Sequence, residues 1–230
     1  MTSPDDRSMA ASQDGGTGES GERAIIGIVL FDAFETLDVF GPVQMWGRLP
    51  GHEVRIVTSD GLPARSAHGV RLEAHHSFDS APGLDVIMVP GGMGTRSLVA
   101  DRPFLDFLRS RDAETTWTTS VCTGAALLAA AGLLKGRRAT TNKRAFDWVA
   151  KQDSDVRWRR KARWVVDGKY VTSSGVSAGT DMALALVQQI YGLALAEDTA
   201  GEAEYVWNND PENDPFSPSG RTQSADGDRN

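Results

Sequence analysis

The chain has 230 residues, 40% of them hydrophobic, one cysteine, and a formal net charge of −7. That length suits one large domain or two small ones. A single cysteine excludes an intrachain disulfide framework and a multi-cysteine zinc site, and the lack of about 18 consecutive apolar residues excludes a transmembrane helix. The charge is uneven: residues 1–22 carry −4 and residues 208–230 carry −3, so residues 23–207 are formally neutral. The middle therefore presents no broad basic face for nucleic acid. Both tails are rich in Gly, Ser, Asp and Pro and read as disordered, so removal of residues 1–20 and 210–230 is expected to leave thermal stability nearly unchanged. The first residues lack the apolar core of a secretory signal. A reducing cytoplasm fits.

Arg23 to Phe31, R-A-I-I-G-I-V-L-F, is a continuous apolar run that suits a strand covered on both faces, as in a parallel sheet. A loop containing Glu35 and Asp38 then leads into a helix, and Val54 to Ser59 read as a second strand. Residues 60–82 are polar and punctuated by Gly and Pro, with a short strand expected at Arg71 to Ala74. Leu84 to Pro90 form another buried strand, which ends at Gly91-Gly92-Met93-Gly94. A helix is expected from about Arg102 to Arg111. Thr115 to Val121 then suit a buried strand, and Gly124 to Leu134 a helix of strong helix formers. Trp164 to Val166 and Lys169 to Thr172, joined at Asp167-Gly168, read as a β-hairpin. Ser177 to Tyr191 make a long amphipathic helix. Strands alternating with helices predict an α/β fold with a largely parallel sheet.

Three loops fall at the carboxyl ends of these strands, where open α/β sheets bind ligands. One holds Cys122 at a strand-to-helix junction, with a helix N-terminus behind it; such a setting lowers a thiol's pKa and makes it a nucleophile. The Thr123 hydroxyl adjoins it. A second holds Asp38, between Leu37 and Val39-Phe40. Partial burial would raise its pKa and let it trade protons with a thiol or a substrate, whereas the local sequence favours a plain helix N-cap. The third holds Gly91, Gly92 and Met93, whose backbone N–H groups can approach a ligand and hold a developing negative charge. G-G-M-G lacks the spacing of a dinucleotide fingerprint. None of the four histidines (His52, His68, His75, His76) follows Cys122, so thiol activation is expected to rest on the helix terminus, Asp38 and Thr123. The basic run Arg157 to Arg163 reads as an exposed strand or loop face, with Asp153, Asp155 and the acidic tails as its candidate partners.

The segments I-G-I-V-L-F, L-D-V-F-G-P, L-D-V-I-M-V-P-G-G, S-V-C-T-G-A-A-L-L-A-A-A-G-L-L-K-G-R-R-A-T-T and S-S-G-V-S-A-G-T-D-M-A-L-A-L together resemble the ThiJ/PfpI superfamily over roughly residues 24–207. The resemblance implies a flavodoxin-like fold, also seen in class I glutamine amidotransferases: a mostly parallel sheet sandwiched between helices. It implies a homodimer, and it calls for no cofactor or metal. Within the superfamily, S-V-C-T-G and L-D-x-x-G-P are most similar to the isonitrile hydratases, which would put Cys122, Thr123 and Asp38 on functional positions. Superfamily proteases and glutaminases have His after the nucleophile, and Thr123 argues against both. One departure stands out: Thr140-Thr141-Asn142-Lys143 replaces T-T-H-W, which implies a changed pocket. The resemblance extends to transcription regulators that carry a further helix-turn-helix domain; here a polar tail follows residue 207 instead.

The function expected from these residues is cysteine-dependent hydration of an isonitrile to an N-substituted formamide. Two other readings stay open. One is a glyoxalase-type hydratase of reactive carbonyls; the other is a non-catalytic thiol redox sensor or protein-stabilising module.

Overall fold

Ile26, Ile28 and Val29 are almost fully buried because the strand that carries them, β1 (Ala24–Val29), lies inside the sheet with a parallel neighbour on each side. The computed structural model describes residues 23–218. In chain order there follow α1 (Thr36–Trp46), β2 (His52–Thr58), β3 (Ala64–Arg65), β4 (Arg71–Leu72), β5 (His76–Ser77) and β6 (Val86–Val89). Next come α2 (Thr95–Leu98), α3 (Arg102–Asp112), β7 (Trp117–Ser120), α4 (Gly124–Ala130), β8 (Arg138–Ala139) and α5 (Phe146–Ala150). The chain then forms β9 (Arg157–Trp158), β10 (Trp164–Asp167), β11 (Tyr170–Ser173), α6 (Ala178–Tyr191) and α7 (Leu193–Glu202).

The main sheet runs β10-β11-β7-β6-β1-β2-β5. Every neighbouring pair is parallel except the expected β10–β11 hairpin, whose turn is Gly168-Lys169, one residue later than the predicted Asp167-Gly168 because Asp167 still pairs with Tyr170. The expected α/β architecture is therefore present. Apolar side chains of β1 and β6 join Leu127 and Leu128 of α4 and Met182 of α6 in one core. Trp46, at the end of α1, is buried and its Nε1 donates to Ala183 O at 3.0 Å, which ties α1 to α6. α3 starts where Asp101 accepts from Phe104 N at 3.1 Å, with Pro103 in its first turn. β5 is only two residues long, while β10 at the other edge is flanked by Arg138, whose N donates to Asp167 Oδ2 at 2.8 Å and whose Nη2 donates to Val166 O at 3.2 Å. Among the described residues no helix is long and apolar enough to cross a membrane.

Arg157, Arg159, Arg160 and Lys161 of the basic run are exposed, as expected, and Arg163 is the exception. Arg163 is 4% exposed and its Nε donates to Asp181 Oδ2 at 2.7 Å, making a buried ion pair. Arg160 pairs with Asp147 and Arg159 with Glu212. Asp155 pairs with Lys135 instead, so the partners expected near residue 155 are not the ones used. Asp181 also accepts from Tyr205 Oη at 2.9 Å and from Asn208 N at 3.0 Å through its other oxygen. The chain after α7 is thus drawn onto the core.

That contact corrects the reading of residues 208–230 as a free tail, for residues 208–218. Arg163 N donates to Pro211 O at 2.7 Å and Asp214 N to Lys161 O at 2.8 Å, and Asp214 is 1% exposed. A short polar segment is held here by backbone hydrogen bonds, which composition does not reveal. Residues 1–22 and 219–230, also read as tail, lie outside the described residues. Deleting residues 209–230 is expected to lower the melting temperature by about 5 °C, since a chain of this size loses about 2–4 °C per kcal/mol. Calorimetry checks this; an unchanged melting temperature would mean that the docked segment adds nothing to stability.

Candidate active site

The sheet order places β7, β6 and β1 side by side. Their pairing aligns Met88 with Ile28 and Ser120 with Val89, so the loops that follow leave the same end of the sheet together. The three loops singled out by sequence therefore meet. A fourth joins them from β11, the other neighbour of β7, through Ser173, Ser174 and Gly175.

Cys122 sits between β7 and α4 with φ +57°. A non-glycine residue in this left-handed region costs on the order of 1–3 kcal/mol and persists only when its surroundings fix it. Here they do: Cys122 N donates to Ser173 O at 3.2 Å, and Thr141 Oγ1 donates to Cys122 O at 2.7 Å. The residue is 6% exposed.

Asp38 is fully buried and lies in the first turn of α1, three residues after the N-cap position, which Glu35 occupies. The N-cap reading of Asp38 is thus wrong: its carboxylate turns away from its own helix and accepts from Gly91 N at 2.8 Å. Gly91 packs against both the Asp38 carboxylate and Cys122, which also interact with each other. A Cβ there would lie 2.8 Å from Asp38 Oδ2 and 2.8 Å from Cys122 Cβ, so no larger residue fits. Asp38 Oδ1 is buried with no hydrogen-bond partner among the described residues.

Burial pushes the Asp38 carboxyl well above the usual carboxylate range; the Gly91 N–H opposes this, and the nearby Glu35 charge adds to it. Burial also raises the Cys122 thiol, and the Asp38 charge raises it further. This corrects the expectation of an acidified thiol. The Thr123 backbone N–H behind the sulfur acts in the expected direction, as do the Asn142 amide and the Thr123 hydroxyl, but desolvation outweighs them. Two buried acids in contact hold at most one negative charge between them near neutral pH. Iodoacetamide should therefore alkylate Cys122 at a rate still climbing above pH 9. A rate already level by pH 7 would contradict the raised thiol pKa.

Thr123 and the glycine turn are brought to the site, but as framework. Thr123 Oγ1 accepts from Gly92 N at 3.0 Å and from Thr95 Oγ1 at 3.2 Å. With Gly91 N bound to Asp38, the N–H groups of Gly91 and Gly92 are both committed, which removes them as free oxyanion donors in this arrangement. The Met93 side chain, next in line, is 66% exposed. None of the four histidines makes a hydrogen bond to Cys122; His68 faces Glu35 and Thr36, His52 faces Tyr191, and the exposed His75 accepts from Ile56 N at its ring.

Sequence reasoning missed two contributors. A Cβ on Gly175 would lie 2.8 Å from Cys122 Sγ and 2.5 Å from Asn142 Nδ2, so this glycine's backbone covers the sulfur beside the Asn142 amide. Asn142 Oδ1 accepts from Arg144 N at 2.9 Å and Ala145 N at 3.0 Å, which fixes the amide with its NH2 on the thiol side. The one signal for it in the sequence was the departure from T-T-H-W. Asn142 and Gly175 also border a pocket of about 650 Å³. Its walls include Leu37, Val176, Phe216 and Pro218, and Lys143 and Arg144 stand beside them. Burial lowers the Lys143 pKa to about 8 although the Asp214 charge opposes the shift. Among the described residues no group of three His, Cys, Asp or Glu is placed to hold a metal ion.

The sequence profile of the DJ-1/PfpI family matches residues 24–189. The chain is 40% identical over 181 residues to an isonitrile hydratase of Pseudomonas putida, covering 79% of this chain and 78% of that protein. It is 26% identical over 148 residues to a deglycase of Thermococcus kodakarensis, covering 64% of this chain and 87% of the other. Among solved structures, a THiJ/PfpI family protein from Pseudomonas syringae superposes with a TM-score of 0.75 at 30% identity, covering 90% of this chain and 86% of that one.

Proposed function

The chain belongs to the DJ-1/PfpI family, and from that premise we propose that it hydrates an isonitrile to an N-substituted formamide through a covalent intermediate on Cys122. The observation that carries this reading is the buried Asp38 carboxylate lying against the Cys122 thiol, with Gly91 packed on both. Likeness to an isonitrile hydratase supports it.

An isonitrile presents a terminal carbon that accepts both a nucleophile and a proton. In the proposed sequence Asp38 takes the thiol proton as Cys122 Sγ bonds to that carbon. A carboxyl group raised by burial is a better base than an ordinary one and a workable acid at neutral pH. Asp38 then delivers the proton to the same carbon, which gives a thioimidate, R–N=CH–S–Cys122. Water adds to the C=N bond, its oxygen to carbon and a proton to nitrogen, and the tetrahedral adduct R–NH–CH(OH)–S–Cys122 collapses to R–NH–CHO, returning the hydroxyl proton to the departing Cys122 sulfur. The net change is one water added, with no oxidant or reductant. The Asn142 amide, held beside the sulfur, favours negative charge there as attack begins.

A reactive carbonyl is the second substrate class, favoured by the deglycase relative; a thiol and a carboxylate serve that chemistry too. Purified protein assayed in parallel with an aryl isonitrile and with methylglyoxal separates the two. Formamide release supports the first reading, and turnover of methylglyoxal alone overturns it. A redox-sensor role fits less well, because a buried thiol held in its neutral form is slow to oxidise. A homodimer in a reducing cytoplasm is part of the same proposal.

A further inference from the structure

The pocket bordered by Asn142 and Gly175, the two residues that cover the Cys122 sulfur, is far larger than the reacting group. An isonitrile head is a carbon and a nitrogen, whereas the pocket holds about 650 Å³, in the range of sites that enclose whole drug-sized ligands. Most of it must therefore receive the substituent on nitrogen. The walls that meet this substituent are apolar: Leu37, Val176, Phe216 and Pro218.

Two of those four side chains come from the docked C-terminal segment, beyond residue 189 where the family match ends. The segment is fixed from below. Asp214 N donates to Lys161 O at 2.8 Å, Asp214 Oδ1 accepts from Phe216 N at 2.8 Å, and Asp214 O accepts from Ser217 N at 3.0 Å. The buried Asp214 charge acts on Lys143, the residue next to Asn142 in the pocket border. These bonds hold the backbone of residues 214–217 in a tight turn. The Phe216 ring is meanwhile 60% exposed. A rigidly carried, uncovered aromatic ring on the wall of a pocket is what an apolar ligand would cover.

We propose that Phe216, with Pro218 beside it, forms a specificity wall that selects isonitriles bearing a bulky apolar substituent, aryl or branched alkyl. This rests on the isonitrile reading of the Cys122 site. The contact is remote from the reacting carbon, so it binds ground and transition states alike and acts mainly through KM.

Two ratios test it in parent and Phe216→Ala protein. The first is kcat/KM for an aryl isonitrile relative to methyl isonitrile. The second is the rate of Cys122 alkylation by an N-aryl iodoacetamide relative to iodoacetamide itself, which needs no turnover. Both are expected to fall about tenfold in Phe216→Ala, the scale on which one hydrophobic contact discriminates between substrates, with the first fall carried by KM. Val206→Ser alters a side chain that is 91% exposed and away from the pocket, and should leave both ratios at parent values. Should the parent turn over no isonitrile while the alkylation ratio still falls, the wall stands and the isonitrile reading is lost. Should turnover occur and neither ratio move, the wall assignment is overturned.

Discussion

Cys122→Ala is expected to abolish formamide production, with a fall of at least about 10,000-fold, as removal of a covalent nucleophile does elsewhere. The fold should survive the change. Alanine occupies the same left-handed backbone position at similar cost, and the hydrogen bonds that hold residue 122 run through its N–H and C=O rather than its sulfur. The melting temperature should then stay within a few degrees of the parent's, because only one small buried group is lost. Formamide detection by chromatography, beside a thermal melt, gives both readings from one preparation. Turnover near the parent's rate in a well-folded variant would exclude covalent catalysis by this residue.

Asp38→Asn is the second large effect, and it separates proton transfer from scaffolding. The substitution is nearly isosteric, and an amide oxygen can still accept from Gly91 N, so the turn between thiol and residue 38 should hold. The amide cannot carry a proton to carbon. Loss of that help costs about 100- to 10,000-fold in rate. The thiol should respond in the opposite direction. The Asp38 charge is one of two causes that raise the Cys122 pKa, and its removal makes the thiolate easier to form. At pH 8 iodoacetamide should therefore alkylate Cys122 in Asp38→Asn at least as fast as in the parent, while hydration is lost. Near-parent turnover would make Asp38 structural and assign the proton to water. A parallel fall in alkylation and turnover would mean that the carboxylate mainly positions the thiol.

The separate legibility of these two residues has a physical basis. Asp38 and Gly91 follow short apolar runs and Cys122 a β-branched one, and such runs mark strand ends without knowledge of the fold; the sheet order then had to bring β1, β6 and β7 together, which alternation of strands and helices makes natural. The acidity of Cys122 was misjudged because its sign depends on burial. The cover is supplied by Gly175 and Asn142, which are 53 and 20 positions away and carry no periodic signal. Asp38 looked like an N-cap for a related reason: its partner, Gly91, belongs to another loop. The docking of residues 208–218 was hidden in the same way, since Asp214 and Pro211 bond to the backbone of residues 161 and 163 and their local sequence is that of a free polar tail. β5 and β8, of two residues each, are too short to leave an alternating pattern.

The two ends of the main sheet bear on how the molecule behaves at high concentration. A long bare strand at a sheet margin offers a row of unpaired backbone groups on which another chain can template, a common route to aggregation. Here one margin carries the two-residue β5, which pairs with Val57 and Thr58 at the end of β2. At the other, Arg138 occupies the outward Val166 carbonyl and binds Asp167, placing a charged side chain along β10. Edge-to-edge pairing of copies through the β10 margin is thereby disfavoured.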